Sequence, residues 1–182
     1  MLELVKNSLH EKVTDAYGSP PLPKNCVFYG VVERHSQSPT VLVAIERDKC
    51  IRPYNHFGEI IEVGYPKLVF LYAIKGNKVC GSYVAAVTDE IIKSESPVYF
   101  FPYGNVGLTH SICMGNYFHP EVKELSDVTY FPEPFYLIEH THPNNAKNQV
   151  IKELLEQTKG KPFNDELLIF NCTFKDFINK TH

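Results

Sequence analysis

Lys67-Leu-Val-Phe-Leu-Tyr-Ala-Ile74, a short polar link, and Val79-Cys-Gly-Ser-Tyr-Val-Ala-Ala-Val87 decide how this chain folds. Both runs are rich in Val, Tyr and other side chains that pack well on a pleated surface. Between them stands Gly76-Asn77, a pair able to take the positive φ angles of a tight two-residue turn. The stretch predicts an antiparallel hairpin. Working outward, residues 26–34 and 40–47 read as two more antiparallel strands, parted by the polar His35-Ser36-Gln37-Ser38-Pro39 loop, and residues 98–101 add another.

The flanks differ in character. Leu2, Val5, Leu9, Val13 and Ala16 recur at near-helical spacing before Gly18, Pro20, Pro21 and Pro23 interrupt regular structure, so residues 1–24 read as a helix and linker. Prolines at 102, 120, 132, 134 and 143 mark residues 102–143 as a long loop region. Loops of that length carried on a sheet are common places for binding and catalytic groups. Asn144 or Asn145 caps a helix expected to run to about Lys159, with Ala146, Val150, Ile151, Leu154 and Leu155 as its apolar stripe and Gly160 as its stop. A short strand and then a helix are expected over residues 165–179. The whole chain, 1–182, reads as one domain: helix and linker 1–24, sheet 25–101, active-site loops 102–143 and a helical part 144–182.

Composition narrows the function. A hydrophobic fraction of 43% supports a globular core, and a net charge of -3 on mixed acidic and basic residues offers no basic stripe for nucleic acid. Apolar windows such as residues 68–74 are too short to span a bilayer, which needs about 20 residues. Five cysteines, an odd number with no CxxC pair, and no secretory pattern at Met1-Leu2-Glu3 predict a reduced, cytoplasmic chain.

The chemistry centres on residues 105–115, Asn-Val-Gly-Leu-Thr-His-Ser-Ile-Cys-Met-Gly. Cys113 is a candidate nucleophile, and Asn105 upstream supplies a neutral donor for the oxyanion formed when an amine attacks a thioester carbonyl. Histidines surround it in sequence: His110, His119, and the pair His140 and His142 in Glu-His-Thr-His-Pro-Asn-Asn. An imidazole near the sulfur lowers the thiol pKa or takes a proton from an incoming amine. Cys26, Cys50, Cys80 and Cys172 lie in or beside apolar runs and read as structural.

These residues resemble the ubiquitin-conjugating enzymes. That family carries His-Pro-Asn and an aliphatic residue, five variable positions, then Ile-Cys-Leu; Asn105-Val106 and Ile112-Cys113-Met114 match in spacing and type. Tyr103-Gly104 replace His-Pro, so the histidine that buttresses the loop in that family is missing. In this the chain is similar to the prokaryotic conjugating-like proteins of the PRTRC system protein B type, whose histidine lies downstream of the cysteine in Thr-His-Pro-Asn, here Thr141-His142-Pro143-Asn144. The resemblance implies an α+β fold with an antiparallel β-meander of about four or more strands flanked by helices. It implies that Cys113 accepts a ubiquitin-like protein as a thioester from a ThiF-type activating enzyme and passes it to an amine, without metal or small cofactor. Asn105 and His142 would assist, with His110, His140 and Tyr103 as accessory candidates. A metal-dependent isopeptidase of the same system is a further implied partner.

Three other readings compete. His140-Thr-His142-Pro143 resembles the core of metal-dependent isopeptidases, which raises zinc bound by His140, His142 and Cys113 or His119, although the serine and aspartate of that motif are replaced by Val150 and Glu153. The second is a binding module that holds a ubiquitin-like domain without catalysis. The third is a cysteine hydrolase built from Cys113, a histidine and an asparagine.

Overall fold

The expected hairpin forms as β5 (Leu68–Lys75) and β6 (Lys78–Val87), and Gly76 takes φ +62° in the turn between them. The computed structural model describes residues 20–32 and 39–180; the expected helix over residues 2–17 and the 35–38 loop lie outside them. β1 (Cys26–Val32) pairs antiparallel with β2 (Thr40–Arg47), and β2 with β5. β7 (Pro97–Tyr99) then joins β6, and β9 (Phe170–Thr173) closes a six-stranded sheet ordered β1-β2-β5-β6-β7-β9. The meander is therefore mostly antiparallel with a few short helices, compatible with the expected α+β class.

Both faces of this sheet are covered. Along β2, Val43 and Ile45 point into one cluster with Phe70, Tyr72 and Val84, while Leu42 and Ala44 alternate into a second with Val69, Leu71 and Ala85. A strand buried on both faces reads as a continuous apolar run rather than an alternating one, as Leu68 to Ile74 do. The second cluster is closed by Phe174, Phe177 and Ile178 of α2 (Phe174–Lys180). The expected strand and helix of the tail are thus present.

One hairpin has no counterpart in the sequence reading. β3 (Cys50–His56) and β4 (Glu59–Tyr65) pair antiparallel across Phe57-Gly58, both at positive φ, and leave the main sheet between β2 and β5. β3 also pairs in parallel with the two-residue β8 (Glu139–His140), giving a second sheet ordered β4-β3-β8. The loop region 102–143 is more regular than expected, with 3₁₀ turns at Leu125–Tyr130 and Glu133–Tyr136 before β8.

The helix expected from Asn144 or Asn145 to about Lys159 is shorter than its sequence suggested. α1 spans Ile151–Thr158, and Gly160 at φ +62° follows it as expected. Asn145 does not cap it. Its Oδ1 accepts from Lys147 N and Gln149 N, and its Nδ2 donates to the Pro102 carbonyl, so residues 144–150 form a tight loop and Val150 stays exposed outside the stripe. No helix among the described residues is long and apolar enough to cross a membrane.

Candidate active site

Residues 105–113 fold back on themselves. Val106 bridges Ile112, Gly107 N–H donates to the Ser111 carbonyl at 3.0 Å, and Cys113 N–H donates to the Asn105 carbonyl at 2.8 Å. The sequence spacing between Asn105 and Cys113 is thus the length of one small closed loop. Ile112 N–H donates to Ser82 O, and Val84 N–H to His110 O, which rivets the loop to β6. Asn105 sits at φ +60°, a left-handed conformation that asparagine tolerates better than most residues. Cys113 is exposed.

The Asn105 side chain is nearly buried, at 8% exposure, and both its ends are engaged. Nδ2 donates to the Glu139 carbonyl at 2.8 Å, while Oδ1 lies 2.8 Å from His142 Nδ1. A carbonyl only accepts, so the amide nitrogen faces Glu139 and the amide oxygen faces His142. The oxygen in turn requires a proton on Nδ1. Neutral His142 is thereby set as the Nδ1–H tautomer, with its Nε2 lone pair free to act as a base. Among the described residues, Asn105 Nδ2 makes this one hydrogen bond, to the Glu139 carbonyl.

Cys113, Asn105 and His142 line two adjoining clefts. The first, about 360 Å³, continues past Gly107 and Ser111 to Asn144, Asn145 and Ala146. The second, about 410 Å³, is walled by Met114, Gly115, Tyr117, Ile138, Glu139 and Thr141 among others. His142 is delivered from a different part of the fold than Cys113. Upstream, β8 is held by β3, by Phe57 N–H donating to the His140 carbonyl and by Asn105 Nδ2 donating to the Glu139 carbonyl; downstream, Ile151 N–H donates to Pro143 O at the start of α1.

The accessory candidates do not gather at the thiol. His140 is fully buried, stacked on Tyr54 at 4.3 Å between ring centroids, with Nδ1 3.2 Å from the Gly104 carbonyl. Burial holds its pKa down to about 4, against the opposing pull of the Gly104 bond. Through that contact it buttresses the turn before Asn105 from β8. His110 is stacked on Phe100, edge-on to Phe177, with Nε2 2.6 Å from Asn171 Nδ2, and burial lowers its pKa. The Tyr103 hydroxyl points into the core, donating to the Gly64 carbonyl and lying 2.9 Å from Thr158 Oγ1. His119 is stacked on Phe131, with Nε2 on Ser82 Oγ and a pKa lowered to about 4 by burial.

The zinc reading loses its geometry for the same reason. β8 ends at His140, so the alternation that would bring His140 and His142 to one face stops, and one ring enters the core while the other lines the clefts. Among the described residues, no group of three or more His, Cys, Asp or Glu is placed to hold a metal. Burial raises the thiol pKa of Cys26, Cys50 and Cys172, as expected for structural cysteines. Cys80 differs from that expectation in being exposed, with Sγ 3.3 Å from the Ala73 carbonyl.

Two contributors were not legible beforehand. Glu139 acts through its backbone carbonyl, which any residue would supply, and Tyr54 donates nothing a motif would mark, accepting from Gly104 N–H at 3.1 Å.

A family model described as Prokaryotic E2 family D matches residues 41–177, from β2 into α2 and across Asn105, Cys113 and His142. No curated protein and no solved structure matches the chain.

Proposed function

The chain belongs to Prokaryotic E2 family D, and from that premise we propose that it is a carrier enzyme for a ubiquitin-like protein, working through a thioester on Cys113. The observation that supports this reading is the Asn105 amide held between the Glu139 carbonyl and His142 Nδ1, beside an exposed thiol that shares both clefts with them.

Loading is a thioester exchange. The Cys113 thiolate attacks the C-terminal carbonyl carried by an activating enzyme, one C–S bond forms, the other breaks, and the activating enzyme's thiolate leaves. Discharge follows when an amine nitrogen attacks the new thioester. The oxyanion draws on the free Asn105 N–H, Nε2 of His142 accepts a proton from the nitrogen, and collapse expels the Cys113 sulfur to leave an amide. His142 is the base and Asn105 sets its tautomer, so the two act as a unit.

Partners of this chemistry are a ubiquitin-like protein, a ThiF-type activating enzyme and a metal-dependent isopeptidase that reverses the product. Thr141-His142-Pro143-Asn144 favours the PRTRC system protein B type within the family. A reaction that needs a free thiol belongs in a reducing compartment, the cytoplasm, and the whole chain serves it as one conjugating-like domain.

The test is incubation of the purified chain with its cognate activating enzyme, ubiquitin-like protein and ATP, followed by a non-reducing gel and intact mass, with Cys113→Ala alongside. An adduct that reducing agent removes and the variant lacks establishes the carrier role. No adduct from a charged activating enzyme overturns it in favour of a binding module.

A further inference from the structure

His142 stands in a run of four exposed residues, 141–144, bracketed by two buried ones, His140 and Asn145. Both anchors bond the backbone of the segment that leads into Asn105: His140 Nδ1 lies 3.2 Å from the Gly104 carbonyl, and Asn145 Nδ2 donates to the Pro102 carbonyl at 2.8 Å. The bond between His142 and Asn105 joins the same two segments, three residues further along each of them. Pro102 with Asn145 and Asn105 with His142 are therefore two rungs between segments that run in opposite directions. Gly104 lets them approach, since a Cβ there would meet Ile151 Cδ1 at 3.1 Å, Tyr54 Oη at 3.2 Å and His142 Cβ at 3.7 Å.

The two rungs are not equally secure. Asn145 is only 7% exposed, and every polar group it owns is engaged. Besides Pro102, Nδ2 donates to Gln149 Oε1, Oδ1 accepts from the Lys147 and Gln149 N–H groups, the main-chain N–H donates to Gln149 O, and the carbonyl accepts from Asn148 N–H. The oxygen of this amide closes the 144–150 loop while its nitrogen ties the loop to Pro102, a combination that a carboxylate could not supply. His142 is exposed, so water competes for its bond to Asn105.

Resting on the carrier reading, we propose that Asn145 is a positioning residue for discharge. Its bond to Pro102 sets the register of residues 142–145 against 102–105, and that register brings His142 Nδ1 onto Asn105 Oδ1. Asn145 performs no chemistry itself and acts through His142. The secure, buried rung holds the exposed one in place.

The test reads the His142 ring first. In long-range proton–nitrogen NMR spectra, neutral His142 of the wild type should be the Nδ1–H tautomer, and in Asn145→Ala it should move toward the Nε2–H form that free imidazole side chains prefer. Asn145→Ser, whose hydroxyl still accepts from Lys147 N–H but is too short to reach Pro102, should move it likewise, and serves if the alanine variant does not fold. Gln149→Ala leaves the Pro102 bond in place and should not. Single-turnover discharge of preformed thioester should slow in the Asn145 variants by up to about 100-fold, the scale of a misplaced catalytic group. The same substitutions should add little in a His142→Ala background.

His142 keeping the Nδ1–H tautomer in both Asn145 variants, or lacking it in wild type, overturns the assignment. So does slowing by an equal factor with and without His142, which is what a merely structural role would give. A Gln149→Ala variant that moves the ring as far as Asn145→Ala would transfer the role to the loop and overturn it too. Failure of the carrier reading looks different: wild type then forms no thioester, while the NMR comparison still decides the register.

Discussion

Asn105 Oδ1 accepts the Nδ1 proton of His142 at 2.8 Å, and the same amide donates to the Glu139 carbonyl, so one side chain fixes the ring orientation and neutral tautomer of another. Residues that act as a unit are not additive. Asn105→Gly, which preserves the left-handed turn, and His142→Ala are each expected to slow thioester discharge about 100-fold, the lower end of general-base contributions. The double variant should be little slower than either alone. Single-turnover discharge checks this, and fully multiplicative losses would separate the two roles.

Asn105→Ala should behave differently from Asn105→Gly in stability. A Cβ at φ +60° without asparagine's local bonding costs about 1 kcal/mol. Thermal denaturation of the pair distinguishes backbone strain from loss of the amide, because discharge falls in both while melting temperature falls further in the alanine variant.

Cys113→Ser should trap the acyl group as an oxygen ester that survives thiol reductants, in place of the reducible adduct of wild type. Gel analysis with and without reductant reads this directly. An adduct that remains reducible in the serine variant would mean that Cys80, also exposed, carries the acyl group.

Tyr103→Phe removes the donor from the buried Gly64 carbonyl and a neighbour from Thr158. Leaving such a group unsatisfied costs about 1–3 kcal/mol, so the melting temperature should drop by several degrees, while loading per folded molecule stays close to wild type. A loading defect with unaltered stability would instead put Tyr103 in the chemistry.

Acid should unfold this protein partly through its buried histidines. His140 and His119 have folded pKa values lowered to about 4 by burial, against about 6.5 for the unfolded chain. Between those values the unfolded chain binds more protons, so their stabilising contribution is complete above about pH 6.5 and is lost as pH falls toward 4. Melting temperatures measured across that window should decline, and His119→Gln should flatten the decline. A flat profile in wild type would contradict the buried, neutral state of both rings.

What could be read from the residues depended on how local the signal was. Gly76-Asn77 between two apolar runs carries its own turn geometry, and β5 and β6 formed where it placed them. The spacing of Asn105 and Cys113 and the Thr141-His142-Pro143-Asn144 segment were equally visible, because both are local, although the closure of the loop between the first two was not. β3 and β4 were not, since Phe57-Gly58 is a less telling turn pair and Arg52, Pro53 and Asn55 dilute the strand pattern. Helix α1 was drawn too long because Asn145 looks like a cap, yet its side chain is bound to the distant Pro102 carbonyl. The fates of His110 and His140 turn on aromatic rings far away in sequence, Phe177 and Tyr54, and no short motif announces such packing.

Cys113 and His142 are mounted on different sheets. Cys113 follows a segment tied to β6 of the larger one, while His142 trails β8, which joins the smaller one through Asn55 with Glu139, His56 with His140 and the Phe57 N–H on the His140 carbonyl. In the proposed mechanism, the alignment of Cys113 with His142 therefore reports on the seating of that short splice rather than on the main sheet. On gradual warming, the capacity to pass on the acyl group should fade before the bulk of the strands melts, with the thiol still able to accept a load it can no longer deliver efficiently.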